Sequence, residues 1–298
     1  VDIQEIAIQI SKLRFFISLL IEQEIDDSKE NRDIRALPNL ETKFVAANTL
    51  IELGESQYLK SQEVINLEEE LFNVRERIFY TNSRSEKYKL QCRLTDIRNQ
   101  LNTELAKVGL PNDKAEEITQ WDPFDQNTHA KWFDPEWMFG IKIGFDIVIG
   151  NPPYIQLQKA FDDKRKYADL YKDQKFKTFD RTGDIYCLFY EKGINLLCDG
   201  GHLAFITSNK WMRAGYGEKL RQFFNSYNPK ILIDLGPGVF ENATVDTNIL
   251  IIQKAKNQHR MHAVTINEKK KDNIDFSTLL EQNGVILQNL SGDAWFIG

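Results

Sequence analysis

The residues with the clearest chemical capacity lie in a short polar turn that follows an apolar run. Residues 147–149 (Ile-Val-Ile) are β-branched and predict a fully buried strand of a parallel sheet. Gly150 releases the backbone where this strand ends, at the edge where ligands bind in open α/β sheets. The polar turn, residues 151–154, has the sequence Asn-Pro-Pro-Tyr.

This turn can hold an aromatic amine. Pro152 and Pro153 fix φ and lack N–H donors, so carbonyl groups there can face a ligand without competing donors. The Asn151 side-chain oxygen and the Pro152 carbonyl can accept the two hydrogens of a nucleobase amine and localise its lone pair. Tyr154 offers a flat ring on which a base can stack. The alternative is a simple turn, but its place directly after a strand favours the chemical role.

The turn resembles the catalytic motif of the amino-group DNA methyltransferases that make N6-methyladenine. The chain is most similar to the methyltransferase part of type IIG restriction-modification enzymes. This resemblance implies S-adenosyl-L-methionine as the cofactor and double-stranded DNA with a flipped adenine as the partner. It implies catalytic roles for Asn151, Pro152, Pro153 and Tyr154. Phe240 matches an aromatic residue that, with Tyr154, holds the flipped base, and core packing is its alternative role.

Three further residues match the cofactor-binding segments of that family. Asp2 stands at the end of a strand, where the family's carboxylate accepts both ribose hydroxyls; capping the next helix is the alternative. Asn48 occupies the position that contacts the adenine of the cofactor, where many members carry aspartate. Asp184 begins the helix after the catalytic strand, whose start closes over the cofactor pocket. The resemblance implies no metal.

One segment of the family's pattern has no counterpart in this sequence. The family's glycine-rich cofactor loop is expected before Val1 and would be missing from this sequence. Residues 233–238 (Ile-Asp-Leu-Gly-Pro-Gly) look like such a loop, but Pro237 stiffens them and no helix pattern follows directly. We therefore expect a fragment, inactive alone, of an enzyme that carries a target-recognition domain and, as a further candidate, an attached nuclease.

Two basic segments are predicted to face DNA. Residues 159–181 interleave eight lysines and arginines with five aromatic residues, and we expect this loop to become ordered on binding phosphates. A solvated loop is the alternative, because aspartates dilute its charge. A second segment, which contains Lys210, Trp211 and Arg213, is predicted to flank the same DNA-binding cleft as this loop. The predicted DNA contacts are Lys159, Lys164, Arg165, Lys210 and Arg213.

Composition restricts the class of protein. A chain of 298 residues with 42% hydrophobic residues can bury a large core. Its net charge of −6 is unlike a small DNA-binding module, although an enzyme can bind DNA through a local basic face. Cys92, Cys187 and Cys198 lack the spacing of a zinc site and fit a reducing cytoplasm. No apolar run is long enough for a membrane span, and no signal peptide opens the chain.

Apolar spacing predicts the elements that position these residues. It predicts a helix over residues 3–20 with one apolar stripe, a short strand over 43–47 and an antiparallel helical hairpin over 60–109. Residues 110–144 have little periodicity and are predicted as a loop that tryptophans pin to the core. From residue 184 onward strands and helices alternate. The predicted fold class is α/β, a Rossmann-like methyltransferase sheet, incomplete at its N-terminal side, with an inserted antiparallel helical hairpin.

Four segments follow from this pattern. Residues 1–54 are predicted as a partial cofactor-binding half, 55–110 as the hairpin insertion and 111–255 as the catalytic half. Residues 256–298 are predicted to begin a flanking or target-recognition region. The expected function is site-specific methyl transfer to adenine N6 in a restriction-modification system. The alternatives are an RNA or protein-glutamine methyltransferase, or a non-catalytic DNA-binding fragment.

Overall fold

The computed structural model describes residues 1–34, 37–52, 61–125, 127–240, 245–266, 275–288 and 290–297. The chain divides into two compact units, Val1–Ile141 and Lys142–Gly298. Within the described ranges, no helix is both long and apolar enough to cross a bilayer. The predicted segment boundary between residues 54 and 55 lies outside the described residues.

The first unit opens with a helix and a set of short backbone pairings. Helix α1 (Glu5–Ile21) confirms the predicted helix, although none of its residues is buried. Asp2 pairs with Ala46 and Ala47 pairs with Ala130, both in parallel orientation. The strand predicted over residues 43–47 is therefore reduced to isolated bridges.

The predicted helical hairpin is present in the first unit. It consists of α2 (Gln62–Tyr80) and α3 (Arg84–Lys107), joined by residues 81–83. Each helix begins at a serine whose side chain accepts a backbone N–H of the first turn, so two helix starts are capped. The apolar seams are buried against each other, and they comprise Val64, Leu67, Leu71, Val74, Ile78, Leu94, Ile97, Leu101 and Leu105.

The segment predicted as a loop contains two short helices. These are α4 (Asn112–Gln120) and α5 (Pro135–Phe139), of nine and five residues. Helices this short show too little periodicity to be recognised in the sequence, because they complete at most two or three turns. Trp132 and Trp137 are buried, which agrees with the prediction that tryptophans hold this segment against the core.

The second unit is built on a mixed sheet with helices packed on it. Its described strands form one six-stranded sheet in the order β1-β2-β4-β3-β5-β6. β1 and β2 are parallel, as are β3 and β5, whereas β4 runs antiparallel to both β2 and β3. The elements in chain order are β1 (Phe145–Gly150), α6 (Tyr167–Tyr171), α7 (Tyr186–Asn195), β2 (Leu197–Ser208), α8 (Glu218–Asn225), β3 (Asn228–Gly236), β4 (Thr247–Gln253), β5 (Met261–Thr265), α9 (Phe276–Asn283) and β6 (Val285–Leu287).

This arrangement confirms the predicted α/β fold class and strand–helix alternation. The predicted segment boundary at residue 255 falls between β4 and β5, two strands of the same sheet. β5 pairs with β3, and β6 pairs with β5, so the chain after residue 255 extends the sheet that contains β1.

Close packing of α7 on β2 depends on a glycine. A Cβ atom at Gly193 would lie 2.5 Å from the Leu203 side chain and 3.1 Å from the Phe205 ring. The helix can therefore approach the strand only because this position lacks a side chain. The main core of this unit forms around Tyr186, Tyr190 and their neighbours on β2 and α8.

The expectation that residues 147–149 form a fully buried strand is wrong. β1 lies at the edge of the described sheet and pairs only with β2 among the described strands. Its side chains alternate between faces, so Val148 packs on the core while Ile147 and Ile149 point to the other face. Ile147 is 67% exposed and Ile149 is 81% exposed.

Candidate catalytic site

The Asn-Pro-Pro-Tyr turn follows β1 directly and has a defined internal geometry. Pro152 is buried, Asn151 is exposed and Tyr154 is half-buried. The Tyr154 hydroxyl donates a hydrogen bond to Asn151 Oδ1 over 3.1 Å. Burial raises the pKa of Tyr154 to about 12, so its hydroxyl keeps its proton at neutral pH and remains a donor. The phenol hydroxyl can therefore serve as the donor in its contact with the Oδ1 atom of Asn151.

Two aromatic rings contact Tyr154 edge-on. Its ring centroid lies 6.2 Å from that of Tyr186 and 6.3 Å from that of Phe240. The structure thus brings together the two residues predicted to hold a base, although 86 positions separate them in the chain. Centroid separations of this size are typical of aromatic pairs in edge-to-face contact.

Asp184 belongs to the same cluster through two tyrosines. Its Oδ2 accepts a hydrogen bond from the Tyr216 hydroxyl at 2.9 Å, and the Tyr216 and Tyr186 hydroxyls are 2.7 Å apart. Burial raises the pKa of both tyrosines, so both hydroxyls stay protonated and can donate. A hydrogen-bonded chain therefore runs from the buried Asp184 carboxylate to the ring that packs on Tyr154.

Backbone pairing places Asp184 beside the Asn-Pro-Pro-Tyr turn. Gln156 and Asp184 form an antiparallel bridge, and the Ile185 amide donates to the Ile155 carbonyl over 2.8 Å. The chain that leaves the turn therefore runs against the chain that enters α7. Sequence reasoning assigned Asp184 from the family pattern alone, and this pairing gives the assignment a structural context.

Gly150 allows the end of β1 to pack closely against the ring of Phe205 on β2. A Cβ atom at this position would lie 3.1 Å from Phe205 Cε1, which is tighter than ordinary packing. Phe205 is buried and pairs with Gly150 across β1 and β2. The role of this glycine is therefore close approach to a ring.

Asp2 and Asn48 both lie in the first unit, at the ends of adjacent parallel backbone segments. The Ala47 amide donates to the Asp2 carbonyl at 2.8 Å, and the Asn48 amide donates to the Ala130 carbonyl at 2.9 Å. Asp2 Oδ1 accepts the Gln4 amide at 2.8 Å in a local turn before α1, and the N-cap residue of α1, Gln4, makes no side-chain capping hydrogen bond. The bond from the Gln4 amide occupies one of about four acceptor sites on the carboxylate.

The basic segment after the turn is folded into a small hairpin and the helix α6. Lys159 and Lys164 are exposed. The Arg165 guanidinium, in contrast, donates two hydrogen bonds to Asp162 Oδ2, at 2.9 and 2.7 Å. Of the three cations predicted here as DNA contacts, Arg165 already has an acidic partner.

Lys210 and Arg213 lie together in the second unit. They help to line a cavity of ≈ 320 Å³, whose lining also includes Asp234 and Asp246. Trp211 between them is wholly buried, so the expectation that its ring flanks the cleft is wrong. Its indole N–H donates to Asn248 at 3.1 Å, and its ring packs in the core.

Sequence reasoning did not assign Tyr186 and Tyr216 to the site. Tyr186 lies in the family-like helical segment that begins at Asp184 but was given no role of its own, and no motif marked Tyr216. A usable signal was the polar hydroxyl of Tyr186 at an otherwise apolar helix position, because a buried hydroxyl requires a partner. Within the part of the chain that is described, no group of three His, Cys, Asp or Glu residues could hold a metal ion.

Comparisons with known proteins support a common family. The profile of the Eco57I restriction-modification methylase family matches residues 1–240. The chain is 27% identical over 186 residues to the type II restriction enzyme and methyltransferase RM.Eco57I of Escherichia coli, covering 62% of this chain and 17% of that protein. It is 32% identical over 117 residues to the type II methyltransferase M.BstVI of Geobacillus stearothermophilus, covering 39% of this chain and 20% of that one.

The solved structures are more distant. The methyltransferase subunit of a type I restriction-modification system from Streptococcus thermophilus shares 16% identity with the chain. The match covers 59% of this chain and 41% of that one, with a TM-score of 0.40, too low to support a conclusion. The chain spans about a fifth or less of the length of the two curated relatives above. The family profile covers well over half of the sequence, and the chain belongs to the Eco57I restriction-modification methylase family.

Proposed function

We propose that the protein transfers a methyl group from S-adenosyl-L-methionine to N6 of adenine in DNA, as part of a restriction-modification system. The observation that carries this proposal is the Asn151–Tyr154–Phe240 cluster, in which an amide oxygen lies beside two aromatic rings. The names of the two relatives above, both type II methyltransferases, agree with it.

The catalytic turn orients the amine. Asn151 Oδ1 and the Pro152 carbonyl accept the two N6 hydrogens, which draws the lone pair out of the ring and towards the methyl donor. Oδ1 has two lone pairs, so it can accept an N6 hydrogen while it keeps the Tyr154 hydroxyl. Pro153 adds no competing N–H. A new bond joins the methyl carbon to N6 as the carbon–sulfur bond breaks, and N6 releases a proton to solvent.

The aromatic residues hold the base. Tyr154 provides a stacking surface that Tyr186 supports from one edge, and Phe240 contacts the same ring. The hydrogen bonds from Asp184 through Tyr216 fix the position of Tyr186. A base that enters such a preformed cluster loses less freedom there, which favours reaction by orientation.

Three residues would hold the cofactor, which when bound supplies a methyl group on a sulfonium that is its own leaving group. Asp2 offers carboxylate acceptor sites beyond the one used by the Gln4 amide, as ribose hydroxyls require. Asn48 lies at the end of the adjacent segment as a candidate contact for the cofactor's adenine. Asp184 offers a buried carboxylate whose position is fixed by Tyr216.

The proposal is tested by Asn151→Ala in the full-length protein with tritiated S-adenosyl-L-methionine and unmethylated DNA. We expect methyl transfer to fall by about 100-fold or more, because the variant loses a preorganised acceptor in the transition state. DNA binding, measured by gel shift, should change little. Asn82→Ala, in the turn between α2 and α3, is the matched control and should keep full activity. Undiminished transfer by the Asn151 variant would overturn the assignment.

The alternatives are separated in the same assay. Equal amounts of DNA, RNA and a glutamine-containing protein are offered to the wild-type enzyme. Label that appears in RNA or protein instead of DNA would favour the related methyltransferase classes. DNA binding without transfer to any of the three would indicate a non-catalytic DNA-binding protein. DNA contact is assigned in this proposal to Lys159, Lys164, Arg165, Lys210 and Arg213.

A further inference from the structure

Residues 160–166, here called the tip hairpin, form a tight turn soon after the catalytic motif. Ala160 and Lys166 form an antiparallel bridge, and the Phe161 amide donates to the Arg165 carbonyl at 2.8 Å. Asp162 Oδ1 accepts the amides of Lys164 and Arg165, at 2.9 and 2.7 Å. These bonds close the turn, so the tip hairpin has its own backbone structure.

Phe161 is held at the end of this hairpin with much of its ring in solvent. Its centroid lies 5.3 Å from that of Tyr167, in an edge-on contact, and the Arg165 guanidinium lies 5.5 Å from it. Arg165 is itself fixed by two hydrogen bonds to Asp162. The ring is therefore restrained by two neighbours and is still 45% exposed.

The root of the tip hairpin is anchored beside the catalytic turn. Leu157 is fully buried, and its amide donates to the Gly183 carbonyl at 2.9 Å. The Ala168 amide donates to the Leu157 carbonyl at 2.8 Å, which joins the two arms of the hairpin. Phe161 lies seven positions after Tyr154, so the Cα atoms of these two residues are at most about 25 Å apart.

The surroundings of Phe161 favour a nucleic-acid partner. Residues 159–166 contain four lysines and arginines and two aspartates. Arg165 neutralises one of those aspartates, Asp162, so the cations outnumber the remaining carboxylate. A cationic rim around an exposed aromatic ring is the combination with which proteins contact phosphates and stack on bases.

We propose that Phe161 is a wedge that inserts into the base stack beside the target adenine and occupies the space that the adenine vacates. This inference rests on the proposed function. Exposed apolar side chains that enter a duplex unstack neighbouring base pairs, and a flipped base leaves a gap that an aromatic ring can fill. The hydrogen bonds of the tip hairpin hold the ring in place, so little conformational entropy is lost on insertion.

The experiment compares the full-length wild type with Phe161→Ala on two DNA duplexes. In one duplex the target adenine is paired with thymine, and in the other it faces an abasic site, which removes the pairing to be broken. The target is first located by sequencing DNA that the wild type has methylated. We expect Phe161→Ala to methylate the paired duplex about tenfold more slowly and the abasic duplex at nearly the wild-type rate.

A fluorescent base gives an independent readout. With 2-aminopurine at the target position, the wild type should raise the fluorescence on binding, and Phe161→Ala should raise it less. Tyr80→Ala is the matched control, because Tyr80 is an aromatic residue that is 69% exposed, on the α2 end of the other unit's helical hairpin. It should behave as the wild type does.

Each outcome decides the inference. Equal rates for Phe161→Ala and the wild type on the paired duplex would overturn it. An equal loss on both duplexes would also overturn it, since the defect would not lie in base extrusion. Failure of the proposed function looks different, because the wild type itself would then transfer no methyl group to either duplex, and the inference would fall with it.

Discussion

Two amphipathic parts of the first unit, α1 and the α2–α3 hairpin, differ in how far their apolar residues are buried. The six residues of the predicted α1 stripe are between 45% and 59% exposed, and they are Ile3, Ile6, Ile10, Leu13, Ile17 and Leu20. The seams of α2 and α3 are buried along their length. Both patterns have helical spacing, so spacing alone does not determine burial.

This difference in burial shows how much of a structure an amphipathic pattern can predict. In the hairpin, each seam finds its partner in the next helix of the chain, so one stretch of sequence contains both halves of the interface. For α1 the same kind of pattern predicts the helix and its apolar face only. What covers that face does not follow from the helix itself.

The largest effect is expected in the hairpin seam. Ile97 is 0% exposed, so Ile97→Ala removes buried methylene and methyl groups and leaves a cavity. We expect the free energy of unfolding of this unit to fall by about 2–5 kcal/mol. Urea unfolding followed by the hydrogen exchange of backbone amides in α2 and α3, which report on this unit, measures it. A loss below about 1 kcal/mol would show that the seam is not the core of the unit.

A smaller effect is expected at the end of the hairpin. The Asn39 side-chain amide donates to the carbonyls of Ile78 and Thr81, at 2.7 and 2.8 Å, and its Oδ1 accepts Lys87 Nζ at 2.7 Å. Asn39→Ala leaves these groups to water, and we expect a loss of about 1–3 kcal/mol. Hydrogen exchange should rise first at the α2 end near Thr81. Unchanged exchange there would show that the Asn39 hydrogen bonds do not stabilise the end of α2.

The smallest effect is expected on α1. Ile10 is 51% exposed, and serine has a helix propensity close to that of isoleucine, so Ile10→Ser should change the free energy of unfolding by less than about 0.5 kcal/mol. The same urea titration measures it. A loss comparable to that of Ile97→Ala would mean that the α1 stripe is covered in solution, and the contrast between the two regions would disappear.

Sequence reasoning anticipated most of the fold of the second unit. The strand–helix alternation after residue 184 gave α7, β2, α8, β3 and β4, because continuous apolar runs and helical spacing are both local signals. The short helices α4, α5, α6 and α9 were missed. Their few turns give no reliable period, and several begin at polar caps that read as loops.

The candidate site was anticipated in part. Asn151 and Tyr154 follow a recognisable strand, so local sequence was enough to select them. The contact between Tyr154 and Phe240 depends on tertiary packing, and only the resemblance to a family pointed to Phe240. Tyr216 was missed because its role is a hydrogen bond to Asp184, a partner that no spacing reveals.

The exposure of Ile147 and Ile149 could not be predicted for a different reason. A β-branched run predicts a strand, but its burial depends on which strands and helices lie on either side. β1 has a single neighbour among the described strands, and that topology is not encoded in the six residues themselves.

The reversed direction of β4 has a consequence for the order of biosynthesis. Because β4 runs antiparallel to β2 and β3, β3 ends and β4 begins at the edge of the sheet where β1 ends. The ribosome releases Tyr154 before Phe240, and β4, which pairs with β3, emerges after both. A nascent chain that stalls at the end of β3 carries the complete Asn-Pro-Pro-Tyr turn but lacks Phe240, the ring that contacts Tyr154. The contact between Tyr154 and Phe240 therefore cannot form before the chain has been synthesised beyond β3.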